Sequence, residues 1–218
     1  MRFFKIKEFN WKYIFGEIFL LFVGINLAIW FNDWNASKTI QKNKEIALEK
    51  IEEEVKANLE QLVENSTLNQ KIPLFFSEMK SLKGDEEAII TSSETMHAFA
   101  NKYPRFVEKV DSIAMENGLY RYGLNTSIYL EITDLSSIAW DVSKSTGIFH
   151  EFGYDCLYDL QALYNTQELV KNQMDKATEA LRNKSMDELV GTLGFTKQLE
   201  DQLAEQYKDM LESIDDCK

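Results

Sequence analysis

The sequence predicts an all-α protein in which an N-terminal transmembrane helix continues into a stalk helix and an extracytoplasmic antiparallel helical bundle. Three observations lead to this prediction. One long apolar segment lies near the N-terminus, and apolar residues beyond it recur at helical spacing. The 218 residues include only two prolines and nine glycines, which are too few for the turns of a many-stranded sheet.

The apolar segment Tyr13–Phe31 contains a single charged residue, Glu17. At about 1.5 Å per residue it is roughly 28 Å long as a helix, close to the ~30 Å of a bilayer's hydrocarbon core. Aromatic side chains that favour membrane interfaces stand at both ends: Trp11, Tyr13, Trp30 and Trp34. A cleaved signal peptide is the alternative. The pattern favours an uncleaved signal anchor, because no small-residue cleavage site follows in register and a carboxylate interrupts the core.

Basic residues flank both ends of the span, so the positive-inside rule gives only a small preference for one orientation. They are Arg2, Lys5, Lys7 and Lys12 before it, and Lys38, Lys42 and Lys44 after it. We expect a cytoplasmic basic head at 1–12, a transmembrane helix at 13–34 and a periplasmic helical bundle at 35–218. The expected location is a bacterial inner membrane, with one pass and a cytoplasmic N-terminus.

The span contains the first candidate site. At 100° per residue one narrow face carries the residues that we call the span stripe: Glu17, Leu21, Gly24, Ala28 and Phe31. Gly24 and Ala28 form a small-xxx-small notch that favours close helix packing, and Asn26 lies nearly opposite Glu17. The pattern predicts association, in the lipid bilayer, with a second copy or with another membrane protein. Glu17 is interpreted as a packing or interfacial group; ion or proton handling is the alternative.

The segment 12–35 resembles the opening of an uncharacterised family of single-span bacterial membrane proteins. The resemblance rests on Gly16-Glu17-Ile18, the glycine-containing apolar run and the exit Asn32-Asp33-Trp34-Asn35, with a looser echo at Ala139–Gly147. It implies an inner-membrane protein with a helical external part. The family has no assigned activity, so the resemblance implies no catalytic residues.

Beyond the span, spacing predicts a series of helices. The first runs from Lys38 to about Lys71 as a stalk and ends before Pro73; a short helix follows, and then a loop at 83–87. Thr91 with Glu94 and Ser185 with Glu188 resemble capping boxes. A helix that carries Met96 and Phe99 is predicted after the first capping box, and another over 104–118 with Gly118 as its stop. The best-patterned segment predicts a central helix through Leu124–Val142 that ends at Gly147. Two long helices follow, over about 154–182 and then to about Ile214, with Gly191 and Gly194 as candidate breaks at the start of the last one.

The two cysteines, Cys156 and Cys217, allow two interpretations. If the last two long helices form a hairpin, helical geometry brings the two positions to within a small slide of each other. In an oxidising compartment a disulfide would then fasten the C-terminal tail. The alternative is a pair of free thiols.

Sequence motifs for chemistry are scarce. His97 and His150 lack zinc-site spacing, and the group His150, Glu151, Asp155 and Cys156 is interpreted as a polar helix start. Glu52, Glu53 and Glu54 are interpreted as a solvated face. There is no phosphate-binding or nucleophile motif. We therefore predict no enzyme, no metal and no cofactor. A net charge of −12 also disfavours nucleic acid as a partner.

An aromatic stretch between glycines offers a candidate interaction surface at Tyr120, Arg121 and Tyr122, with Trp140 as a further candidate. Tyrosine and arginine dominate binding hot spots. The alternative is that these rings cap the core of the bundle.

Three function classes remain. We expect a non-catalytic, membrane-anchored interaction or scaffold protein of an envelope complex, with coiled-coil-like helix contacts and self-association or association with a partner. One alternative is a single-span subunit of an ion-coupled transport or force-transducing complex that uses Glu17. The other is a ligand-sensing periplasmic bundle.

Overall fold

A computed structural model describes residues 11–83 and 88–217. Most of the predicted basic head and of the loop at 83–87 lie outside these described residues. The helices are α1 (Trp11–Asn69), α2 (Lys71–Lys83), α3 (Ser93–Lys102), α4 (Ile138–Thr146), α5 (Tyr154–Arg182) and α6 (Met186–Ser213). The strands are β1 (Ile89–Thr91), β2 (Val107–Ala114) and β3 (Tyr120–Thr126), and single 3-10 turns lie at Glu116–Gly118, Ile148–Glu151 and Ile214–Cys217.

The long helix α1 joins the apolar segment to the rest of the protein without a break. It is 59 residues long, and its first part is long and apolar enough to cross a membrane. Its inward stripe begins at Leu48 and contains Leu48, Ile51, Val55, Asn58, Leu62, Ser66 and Asn69. The helix ends at Asn69, earlier than predicted, and Pro73 lies in the first turn of α2, where the missing N–H costs no helical hydrogen bond.

The prediction of an all-α fold is wrong in one region, because the chain also forms a three-stranded antiparallel sheet in the order β1-β3-β2. The predicted helix 104–118 is instead β2 and its turn. Phe106, Val110 and Ile113 follow a helical spacing, but Val110 and Ile113 are β-branched residues that also favour strands. Asn117 and Gly118, with φ of 63° and 74°, form the tight reversal into β3 that an Asn-Gly pair favours.

The predicted central helix over Leu124–Val142 is also wrong. Leu124 belongs to β3, residues 127–137 form an irregular segment that lies along α1, and only the last part becomes helical, as α4. Side chains of α1 replace the helical hydrogen bonds there: Asn69 bonds both the N–H and the carbonyl of Glu131, and Asn58 does the same for Ser136. Gly147 ends α4 in a left-handed conformation, as predicted.

Helices α5 and α6 form an antiparallel hairpin that packs on α1, with its turn at Asn183–Ser185. Gly191 and Gly194 lie inside α6 and do not interrupt it. The capping predictions need adjustment: Ser92 Oγ, not Thr91, caps α3 by accepting from the Thr95 N–H, and Ser185 precedes α6 without a side-chain cap bond.

The core has two parts. One cluster lies nearer the apolar segment and joins α1, α4, α5 and α6 around buried side chains such as Ile51, Leu163 and Tyr207. The other lies at the α5–α6 turn, where α2, α3 and the sheet pack around Phe75.

Candidate functional site

The residues of the span stripe lie on the surface of α1, where none of them is buried against another element of the described chain. No residue of the most apolar window of this helix is buried inside the described part of the chain. A Cβ built on Gly24 meets no atom within 4 Å, so the notch is open to a neighbour. One donor of Asn26 is satisfied locally, since its Nδ2 donates to the Phe22 carbonyl at 2.7 Å. This bond removes part of the cost that Asn26 would otherwise bring to a lipid-facing surface.

An aromatic group marks the end of the apolar segment. The rings of Trp30 and Trp34 stack at 6.3 Å, Phe31 lies 5.8 Å from Trp34, and the Lys38 ammonium lies 3.9 Å from the Trp34 ring centroid. Tryptophan and lysine are the side chains that favour the interface between hydrocarbon and water. The pattern is typical of a helix that leaves a bilayer near residue 34.

A large groove lies further along the same helix, between α1 and α4. The groove is open to solvent and has a volume of about 710 Å³, and its apolar lining includes Ile46, Ile138, Val142 and Ile148. Two of these apolar residues are largely exposed to solvent: the exposed fraction is 72% for Ile138 and 53% for Val142. The first groove residue, Asn43, is about 14 Å along the helix from Trp34. The groove is thus an exposed apolar surface close to the predicted membrane.

A carboxylate from α1 holds the α4 wall of this groove in place. Glu54 accepts three hydrogen bonds, from Ser136 Oγ at 2.7 Å, from the Ala139 N–H at 2.9 Å and from the Tyr164 hydroxyl at 2.7 Å. Ala139 lies in the first turn of α4, where free N–H groups and the helix dipole favour a negative charge. The prediction that Glu54 is a solvated residue like Glu52 and Glu53 is therefore wrong.

Polar side chains continue this contact into the core. Asn58 is 2% exposed and bonds the Ser136 backbone through both its oxygen and its nitrogen. Gln167 donates to the same Ser136 carbonyl at 2.9 Å and accepts from the Tyr207 hydroxyl at 2.7 Å. Burial is the main cause that raises the pKa of Tyr164 well above its usual range, and the nearby Glu54 carboxylate is the second. The Tyr164 hydroxyl therefore stays neutral and acts as a hydrogen-bond donor. The network fixes one geometry for the segment before α4.

Trp140 does not belong to an exposed surface. Its ring is 3% exposed and stacks on Tyr164 at 5.4 Å with nearly parallel planes. The Trp140 ring lies behind the groove wall, and the nearby residues Ala139 and Val142 line the groove. The prediction of Trp140 as an interaction residue is therefore corrected: it supports the groove wall from the core.

The predicted surface at Tyr120, Arg121 and Tyr122 lies on strand β3 rather than on a loop. Tyr122 is 9% exposed and packs in the core, Tyr120 is half-buried and Arg121 is exposed. Alternate residues of a strand point to opposite faces, so these three side chains do not form one surface. Of the three, Arg121 is the most exposed and Tyr120 is partly exposed on the other face.

Cys156 and Cys217 are joined as a disulfide with a Cα–Cα distance of 5.5 Å. The bond fastens the last 3-10 turn to the start of α5, on the side of the bundle where α1 enters it. Cys217 is 5% exposed and lies in the same core cluster as Leu48. The bond therefore closes the end of the bundle nearest the apolar segment.

Sequence reasoning missed a buried carboxylate on α6. Glu200 on α6 is 2% exposed; one of its oxygens accepts from Ser66 Oγ at 2.5 Å, and the other has no hydrogen-bond partner among the described residues. Burial raises the pKa of Glu200. The signal was present, because Glu200 continues the apolar stripe Leu193, Thr196, Leu203, Tyr207 and Met210 at steps of three and four.

The described part of the chain contains no group of three or more His, Cys, Asp or Glu side chains arranged to hold a metal ion. Compared with family models, curated proteins and solved structures, the chain gives no significant match. The resemblance of its N-terminal segment to single-span bacterial proteins stays a prediction.

Proposed function

We propose that this chain is a non-catalytic interaction protein of a bacterial inner membrane, anchored by residues 13–34 with its bundle in the periplasm. Its binding surface combines the span stripe with the groove between α1 and α4. The observation that carries the proposal is the open apolar groove on the same continuous helix as the apolar segment. Soluble surfaces rarely leave such a group of aliphatic side chains uncovered unless a partner covers them.

The direction of the two surfaces on α1 supports a common partner. At about 100° per residue, the mean direction of the span stripe and that of the groove residues contributed by α1 differ by about 70°. This angle is close enough for one neighbouring helix, crossing at a small angle, to contact both. Between them α1 has the short side chain of Ala36, and Ala47 is a second short side chain within the groove; both let a second helix approach closely.

The proposed occupant of the groove is a helix that extends from a membrane span of a different protein. The membrane span of the partner packs against Gly24 and Ala28 of this chain. The extension of the partner helix places apolar side chains at i, i+3 and i+4 against Ile138 and Val142. Lipid cannot replace it there, because the groove begins about 14 Å beyond the predicted membrane exit. The bundle then fixes where this partner helix leaves the bilayer.

Photo-crosslinking in intact cells tests the proposal. A photoreactive residue replaces Ile138, which lines the groove, or Ile132, which is 64% exposed and lies outside it. We expect an adduct from position 138 only, with the crosslinked peptide adjoining a membrane span of the partner. Val142→Asp should abolish this adduct. Equal labelling at both positions, or an adduct that Val142→Asp leaves unchanged, would contradict the proposal.

A ligand-sensing function is the second candidate, favoured by the size and lining of the same groove. Its volume of about 710 Å³ lies within the roughly 300–1,000 Å³ of small-molecule sites. Hydroxyl and amide groups of Asn43, Ser143 and Thr146 line it beside the apolar side chains. Saturable binding of an apolar fluorescent probe to the detergent-extracted chain, lost in Val142→Trp, would favour this function over the first.

A further inference from the structure

The outer strand of the sheet, β2, presents a free edge. The strand order is β1-β3-β2, and β3 is the only described element with which β2 shares extended contact. Residues 108–114 are exposed on both faces of the strand. A strand edge offers unpaired N–H and C=O groups that are a template for another strand.

The pairing with β3 shows which backbone groups of β2 point to the free side. The Met115 N–H bonds the Leu119 carbonyl at 2.9 Å, so Met115 is directed toward β3. In antiparallel pairs this direction alternates. Lys109, Asp111 and Ile113 are therefore also directed toward β3, and the N–H and C=O groups of Val110 and Ser112 point outward.

The charges on the strand favour a second copy of β2 as the partner, and they favour one register over its two nearest alternatives. Lys109 and Asp111 are 66% and 69% exposed and form an ion pair along the strand at 2.8 Å. The residue of β3 opposite Asp111 is Gly123, which has no side chain to contact the Asp111 carboxylate. If a second β2 pairs antiparallel with Val110 facing the partner's Val110, Lys109 lies opposite the partner's Asp111. Asp111 then lies opposite the partner's Lys109. Shifts by two residues place Lys109 or Asp111 opposite itself.

The same register agrees with the backbone. Val110 faces its copy as a hydrogen-bonded pair, which uses the outward N–H and C=O groups of both strands. The Lys109–Asp111 pairs then occupy the non-hydrogen-bonded positions, where side chains of opposite strands are closest. Lysine on an edge strand normally discourages foreign strands, whereas here it meets a carboxylate of its own copy.

We infer that β2 is a homodimer interface, in which two copies of this chain join their sheets into one six-stranded sheet about Val110. The surface lies away from the α1–α4 groove, and it does not depend on the function proposed for that groove. Each chain contributes an ordered strand, so pairing needs no folding of a disordered segment. The dimer would present two grooves on one membrane-anchored unit.

Disulfide trapping of the full chain in native membranes tests the register. In the hydrogen-bonded pair the two Val110 Cα atoms lie about 5.5 Å apart, within the range of a disulfide. Val110→Cys is therefore expected to give a covalent dimer under mild oxidation. Ser112→Cys is the matched control on the same edge, because its copy lies about 14 Å away at ~3.4 Å per residue. We expect at least a fivefold lower dimer yield from this control.

An exchange of the charges at positions 109 and 111 is the second part of this test. In the Val110→Cys background, Lys109→Asp places two carboxylates against each other and should reduce the dimer yield severalfold. The double change Lys109→Asp with Asp111→Lys should restore it. The absence of a Val110→Cys dimer, equal yields from positions 110 and 112, or a failure of the double change to restore the yield would each overturn the proposal. Crosslinks from position 110 to a different protein would do so as well.

Discussion

Removal of the Cys156–Cys217 disulfide is expected to weaken the bundle strongly. The two cysteines are 61 residues apart in sequence, and nearly all of α5 and α6 lies between them. In the folded protein, Met210 and Ile214 hold the last turns in the core without help from the bond. Loss of the bond should therefore act mainly by giving the unfolded chain more freedom.

The magnitude follows from the length of the closed loop. For a loop of about 61 residues, chain entropy of roughly 14 cal/mol/K gives about 4 kcal/mol at 25 °C. Residual structure in the unfolded chain lowers this figure, so we expect a loss of about 2–4 kcal/mol. Domains of this kind have a total stability of about 5–15 kcal/mol, so the bond supplies a large share.

The assay is guanidinium unfolding of the full chain in mild detergent, followed by near-ultraviolet circular dichroism. The double variant Cys156→Ser/Cys217→Ser is compared with wild type whose oxidation is verified by mass. Asp216→Ser is the control, because Asp216 is an exposed neighbour of Cys217. A loss below about 1 kcal/mol in the double variant would refute the reasoning. Alkylation of thiols in intact cells adds a test of orientation. If the bundle is periplasmic, Cys156 and Cys217 should be oxidised and should resist alkylation until the disulfide is reduced.

Two further predictions concern buried polar groups. Asn58→Ala leaves the Ser136 N–H without its bond and should cost about 1–3 kcal/mol in chemical unfolding; Asn65→Ala, which removes one bond to Ile132 at the surface, should cost less than half as much. Burial raises the pKa of Glu200 above its ordinary value of 4.5, so the protonated form stabilises the fold and this stability is lost as pH rises. Glu200→Gln should therefore raise Tm at pH 7 and lose this advantage toward pH 4; an equal gain at both pH values would contradict this interpretation.

The long helices could be predicted from the sequence because their signals are local. The apolar segment, the inward stripe of α1 and the hairpin of α5 and α6 all repeat at helical spacing over many turns. Strand β2 could not be recognised in this way. Its two faces are both exposed, so it lacks the alternation that marks a strand, and its β-branched residues also satisfy a helical spacing.

The groove could not be predicted, because it depends on pairs that are far apart in sequence. Ser136 lies 78 residues from Asn58 and 82 residues from Glu54. Asn58 and Glu200 do interrupt apolar stripes, which indicates buried polar contacts, but the sequence does not identify their partners. The residues of the span stripe were identified from the sequence alone, and their role in packing stays a prediction.

The most direct test of the proposed function is the mass of the complex extracted in mild detergent from cells that carry wild type, Val142→Asp or Gly24→Leu. Both substitutions change exposed positions and leave the described fold without a clash, since Val142 is 53% exposed and Gly24 faces open space. We predict that wild type retains a second, different membrane protein and that each substitution weakens this complex. Wild type that carries no other protein, or a complex that Val142→Asp leaves intact, would contradict the proposal.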